Sequence, residues 1–225
     1  YKILFKFFFS QILVDQNAKS KISEIQNVIH FLKFKYNEKD LNTISIKNIK
    51  DIYTNKNLSL IDEKNFVMLH FDEKWIYNYY IKSYKKIEPK IDEFKQFIAD
   101  IVLNKKKNLI ITTGIINNPL LEELKFEFKL IANNVYKKTF NSNFVIFFNQ
   151  TNFFDIVYLV SKSHLLIASH GAITHVAASL NVHIFDIIDD SENIFFDKWS
   201  SHFRNYRKFS RKNFNSLSKE ILDCL

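Results

Sequence analysis

From residue 65 onward the chain alternates short apolar runs with segments whose apolar residues recur every three or four positions. The runs "NFVMLHF" (65–71), "NLIITT" (108–113), "NFVIFF" (143–148), "LLIAS" (165–169) and "VHIFDII" (182–188) have the length and composition of buried strands. Between the first two, Ile91, Phe94, Phe97, Ile98, Ile101 and Val102 fall on one helix face. Pro89 suits the first position of that helix, where a missing N–H costs nothing. Asn118-Pro119 supplies the N-cap and first-turn proline of a second helix running to about residue 132. "NFFDIVYLVSKS" (152–163) and "AITHVAASL" (172–180) read as two more helices. Phe214, Leu217, Ile221 and Leu225 mark an amphipathic helix at the C-terminus, expected over residues 206–225. Strands alternating with helices make βαβ units, so the fold class is α/β, a Rossmann-like doubly wound parallel sheet covered on both faces. One such domain is expected over residues 65–205.

The first 64 residues have a different texture. Ile22, Ile25, Val28, Ile29 and Leu32 share a helix face, whereas residues 37–64 are rich in Lys, Asn and Asp and carry no long periodic segment. Residues 1–64 therefore read as the helical remnant of a preceding domain and its linker, and the start in mid-pattern at Tyr1 suggests a piece of a longer protein. "ILFKFFFSQILV" (residues 3–14) falls short of the roughly 18 apolar residues that span a bilayer, and Lys6, Ser10 and Gln11 interrupt it. It is expected to be a buried helix. The pattern of a signal peptide is lacking.

Composition narrows the function only slightly. The net charge is +8 and the pI near 9.3, which suits an anionic partner. The lysines are scattered, however, and the aromatics occupy core positions, so nucleic acid is not expected as a partner. Cys224 is the single cysteine; it allows neither an internal disulfide nor a cysteine-based metal site and fits a reducing compartment.

Glycine is the more telling residue. At ordinary usage a chain this long carries on the order of sixteen; this one has two, Gly114 and Gly171. Each ends a predicted strand, and in doubly wound sheets ligands bind outside the carboxyl ends of the strands, near the point where the strand order reverses. Gly171 leads into a helix whose first amides lack carbonyl partners and favour an anion, most often phosphate. Ser169, Thr174, His170 and His175 flank that turn and offer donors to the same anion, while Ala172, Ala177, Ala178 and Ser179 let the helix lie close to the sheet. In "LHFDEKW" (69–75), His70, Asp72 and Lys74 reach the same edge, Lys74 as a point charge for phosphate and Trp75 as an anchor beneath it. His164 and His183 are read as structural.

The segment 155–187, "DIVYLVSKSHLLIASHGAITHVAASLNVHIFDI", resembles the C-terminal nucleotide-sugar-binding domain of GT-B glycosyltransferases, in particular the heptosyltransferase-like family 9 enzymes. That family has an Asp-Ser/Thr-Gly-x-x-His turn between a strand and an alanine-rich helix; Ser169-His170-Gly171-Ala172-Ile173-Thr174-His175 occupies the place here. Lys74-Trp75 looks like the family's Lys-Trp pair facing the phosphates. The resemblance covers roughly residues 65–205. It departs from the family at Ala168-Ser169-His170, where the acidic residue is missing, in a glycine-to-histidine spacing one residue longer, and at Asn181-Val182, where a proline is usual.

The resemblance implies the C-terminal half of a GT-B fold and a hexosyl- or heptosyltransferase-like enzyme. It would move a sugar from a nucleotide-diphosphate donor to a glycan or lipid-linked acceptor at the cell surface, without metal or cofactor. Lys74, Ser169, His170, Gly171, Ala172, Thr174 and His175 would bind the donor phosphates and Thr112, Thr113 and Gly114 the nucleoside. Asp189 and Asp190, ending the last strand, would meet sugar hydroxyls. The catalytic base would belong to the N-terminal domain. The expected setting is cytoplasmic, with peripheral contact to the inner membrane face and a place in lipopolysaccharide biosynthesis. Two alternatives stay open: a nucleotide-sugar epimerase or hydrolase of the same architecture, and a non-catalytic scaffold.

Overall fold

A computed structural model describes residues 61, 66–76, 87–116 and 118–225. The helix expected over residues 1–36 lies outside the described residues, as does the polar stretch 37–64 apart from Ile61.

The expected apolar runs form strands β1 (Phe66–His70), β2 (Asn108–Thr112), β5 (Asn143–Phe148), β6 (Leu165–Ser169) and β7 (His183–Ile188). Three more strands, β3 (Lys129–Ala132), β4 (Val135–Phe140) and β8 (Tyr206–Ser210), complete the sheet among the described residues. Its order is β3-β4-β5-β2-β1-β6-β7-β8. From β5 to β8 every pairing is parallel, and only the β3-β4-β5 ladders are antiparallel. Counting parallel strands alone, the order is that of a dinucleotide-binding Rossmann sheet, with its reversal between β1 and β6.

Side chains alternate across each strand, which divides the core in two. Val67 and Leu69 of β1 pack with helices α1 (Ile91–Ala99), α2 (Pro119–Leu124) and α6 (Phe214–Asp223) on one face. Phe66 and Met68 pack with α3 (Phe153–Lys162) and α4 (Ala172–Ser179) on the other. A further helix, α5 (Asn193–Ser200), lies between β7 and β8.

Three expectations need correction. Residues 206–225 are not all helix: Tyr206–Ser210 pairs with β7 as β8, so the sheet extends past residue 205, and only Phe214–Asp223 is helical. The helix starting at Asn118 does not run to residue 132. Its side-chain cap holds, with Asn118 accepting from the Leu120 amide at 3.1 Å, but the chain leaves helix after a 3-10 turn at Lys125–Glu127. It then forms a hairpin, β3 to β4, around Asn133-Asn134, and Asn134 takes the left-handed conformation (φ 55°) that asparagine tolerates. Pro89 also stands one residue before the N-cap of α1, which is Lys90; Glu93 reaches back to the Lys90 amide at 2.9 Å.

Candidate functional site

The chain after β1 is pinned at several points before it reaches Lys74. Asp72 caps a 3-10 turn, Glu73–Trp75, by accepting from the Lys74 amide at 3.2 Å. Trp75 is buried, stacks on Phe71 with ring centroids 4.8 Å apart, and donates its indole N–H to the His70 carbonyl at 3.0 Å. Arg211, buried just past β8, donates to the Lys74 carbonyl at 2.7 Å. With its backbone held from two directions, Lys74 extends its ammonium across the reversal point to the carbonyl of His170, 3.1 Å away. The same Nζ lies 3.3 Å from Asp72 Oδ2, and the side chain keeps 26% of its exposure.

Across from it, β6 ends at Ser169 and α4 begins at Ala172. Gly171 between them has an extended backbone (φ 171°) that any residue could adopt, so conformation is not why a glycine stands here. A Cβ on Gly171 would run into Lys74 Nζ, with Ser169 O the nearest backbone atom at 3.9 Å. The absent side chain is the room the ammonium occupies. Thr174, fully buried, donates its hydroxyl to the Gly171 carbonyl at 2.8 Å and accepts from the Gly171 amide at 3.4 Å, and its own amide bonds Gly171 O at 3.1 Å. Thr174 therefore shapes the turn, and the amides of Ala172 and Ile173 are the first of α4, where a helix offers no carbonyl partners of its own. The Ser169 hydroxyl is buried and has no hydrogen-bond partner among the described residues.

The two histidines differ in surroundings. His170 Nδ1 meets Asp186 Oδ2 of β7 at 2.6 Å, and the Tyr206 hydroxyl donates to that same oxygen at 2.9 Å. Burial and the Asp186 charge push the Tyr206 phenol well above its usual range. The His175 ring packs among Trp199, His202 and Phe203, with centroids 5.0–5.8 Å away. Burial, followed by the charges of His170 and His202, lowers its pKa to about 4. It is a neutral ring at neutral pH, 5.4 Å from that of His170.

On the far side of β1, the Thr112 hydroxyl bonds His70 Nδ1 at 2.9 Å, and burial lowers the pKa of that imidazole. The Thr113 hydroxyl accepts from the Gln150 amide at 2.8 Å. A Cβ on Gly114 would sit 3.6 Å from the Glu73 carboxylate, so the loops after β1 and β2 meet there. Asp189 is buried and accepts from the Ser191 amide at 3.0 Å, closing its own turn. Asp190 is exposed and accepts from the Ser210 hydroxyl at 2.6 Å. His164 and His183 lie next to each other, rings 5.4 Å apart, at the starts of β6 and β7 on the opposite edge of the sheet.

No family model matches the sequence, and no curated protein matches it. Solved structures do. Heptosyltransferase WaaC from E. coli, determined with ADP, is 8% identical with a TM-score of 0.49, over 92% of this chain and 56% of that one. UDP-GlcNAc 2-epimerase from Methanocaldococcus jannaschii, in complex with UDP-GlcNAc and UDP, is 15% identical with a TM-score of 0.46, over 91% and 53%. The putative UDP-N-acetylglucosamine 2-epimerase from Listeria monocytogenes is 14% identical with a TM-score of 0.48, over 92% and 49%. The chain thus spans about half the length of the structures it matches. The fold class stands on the strand order itself.

Three residues of this edge escape a reading of the sequence: Asp186, Tyr206 and Arg211. Asp186 interrupts the apolar run "HIFDII", and that interruption is the one signal that could have marked it. Tyr206 and Arg211 bracket a strand too polar to be seen as one.

Proposed function

We propose that this chain is the donor-binding half of a metal-independent glycosyltransferase and that the group held at the reversal point is the diphosphate of a nucleotide sugar. The reading is carried by one observation, the Lys74 ammonium standing over Gly171 beside the open end of α4. An ammonium and the first two amides of α4 converging on one spot neutralise an anion that gains charge as its sugar departs, which is where electrostatic catalysis acts most strongly. In this reading Ser169 adds its hydroxyl, and Gly171 and Ala172 bring the backbone close. Thr174 holds the turn in shape, and His170 and His175 flank the phosphate. The loop Thr112 to Gly114 lies under the nucleoside. Asp190, with Asp189 closing the turn beside it, faces the sugar hydroxyls, and a glycan or lipid-linked acceptor receives the sugar.

Calorimetric titration with UDP and with ADP tests this. At least one should bind, and Lys74→Ala should weaken that affinity about tenfold or more, the worth of a charged hydrogen bond to phosphate. An unchanged affinity in Lys74→Ala contradicts the assignment. Both a heptosyltransferase and epimerases stand among the similar structures, and product analysis separates these reactions: transfer consumes an acceptor, epimerisation or hydrolysis does not.

A further inference from the structure

We propose that His170 is the proton donor of this site, delivering the hydrogen on Nε2 to the departing diphosphate, with Asp186 and Tyr206 as its positioning residues. The inference rests on the phosphate reading above.

The starting point is a carboxylate in an unexpected place. Ile184 and Ile188 flank Asp186 on β7, and Asp186 is fully buried. Its Oδ1 has no hydrogen-bond partner among the described residues. Its Oδ2 has two, the imidazole of His170 and the hydroxyl of Tyr206. A half-satisfied buried carboxylate is costly to keep, so it needs a purpose other than stability. Orienting an imidazole is one. The carboxylate accepts, so His170 carries a hydrogen on Nδ1 and Nε2 is left as the atom that gains and loses a proton. Tyr206, whose own proton is held tightly, fixes the carboxylate from the other side.

Nε2 of His170 has no hydrogen-bond partner among the described residues, and the side chain is 10% exposed. Its backbone borders the phosphate site: the His170 carbonyl holds Lys74 Nζ, and the next residue is Gly171. The charged or titratable groups around it are Asp186 on β7, Tyr206 on β8, His175 on α4 with His202 behind it, and Lys74 with Asp72 after β1. Phe196 of α5 covers one side of the ring at 4.9 Å. In the step, the bond from the sugar's anomeric carbon to the diphosphate oxygen breaks and its electron pair stays on that oxygen. The Nε2 proton moves to the diphosphate, the acceptor oxygen bonds the anomeric carbon, and the acceptor's proton leaves to water. Solvent reprotonates the imidazole.

The test is a two-dimensional NMR titration of 15N-histidine-labelled protein with UDP and with ADP, run beside calorimetry on the same samples. Neutral His170 should carry its hydrogen on Nδ1. Bound nucleotide should shift the Nε2 signal, as a phosphate brought against that nitrogen does. Asp186→Asn should move the hydrogen of neutral His170 from Nδ1 to Nε2, as expected when the orienting acceptor becomes an amide. If a nucleotide binds by calorimetry and the His170 Nε2 signal of the wild-type protein does not respond, this proposal falls and the phosphate site stands. If neither nucleotide binds, both fall. The wild-type titration decides the matter even if Asp186→Asn fails to fold.

Discussion

Gly171→Ala separates two reasons for a glycine. Were the backbone strained, the substitution would cost stability whatever surrounds it. Here φ is 171°, the nearest backbone atom to a new methyl is 3.9 Å away, and the group in the way is the end of a lysine side chain. The methyl therefore displaces Lys74 Nζ from the His170 carbonyl. A charged hydrogen bond is worth about 1.5–3 kcal/mol when buried, but this ammonium is 26% exposed and returns to water, which reduces the loss to about 1 kcal/mol. Replacing a glycine N-cap by alanine adds about 0.5 kcal/mol. Thermal denaturation should show a drop of about 3–6 °C in Tm. In a Lys74→Ala background only the capping cost should remain, so a double-mutant cycle should give a coupling of about 1 kcal/mol between positions 74 and 171. A coupling near zero would refute the steric argument, and so would a cost above about 3 kcal/mol in both backgrounds, which only strain or a backbone clash could supply.

Two further outcomes follow from packing and protonation. Trp75→Ala removes a fully buried ring stacked on Phe71 and leaves the His70 carbonyl without its donor; urea unfolding should show a loss of about 3–5 kcal/mol, and a loss below 1 would mean that Trp75 does not anchor the Lys74 turn. His175 binds its proton near pH 4 when folded and near 6.5 when unfolded, so the unfolded chain is protonated first as pH falls. Its contribution to stability is complete above pH 6.5 and is lost toward pH 4, on the order of 1–2 kcal/mol after discounting for a partly exposed ring. His175→Phe should flatten the fall in urea midpoint between pH 7 and 4.5, and an unchanged slope would contradict this.

Strands were legible where they are buried on both faces. β1, β2, β6 and the greater part of β5 and β7 are nearly continuous apolar runs because neighbours flank them and helices cover them. β3 and β8 are the two edges of the sheet. Edge strands carry charges that discourage further pairing, as "YRKFS" of β8 does, and "VYKKTF" of β4, next to the β3 edge, also hides among surface lysines. Leu120, Leu121, Leu124, Phe128 and Ile131 also mimic a helical period across a helix and a strand; only the Asn133-Asn134 and Asn141-Ser142 pairs betray the turns, with positive φ at Asn134 and Asn141. At the site, the glycine scarcity and the two strand ends brought Lys74 and Gly171 to one edge. That Lys74 itself fills the space over Gly171, that Thr174 closes the turn on it, and that Asp186 grips His170 are contacts between residues 3 to 97 positions apart; such pairings depend on register, which no local pattern contains.

A crystal structure of the protein grown with UDP or ADP tests the central claim most directly. A terminal phosphate should lie over Gly171, with Lys74 Nζ and the amides of Ala172 and Ile173 within hydrogen-bond distance of its oxygens. A nucleotide bound elsewhere, with Lys74 Nζ still on the His170 carbonyl and no phosphate at the start of α4, would contradict it.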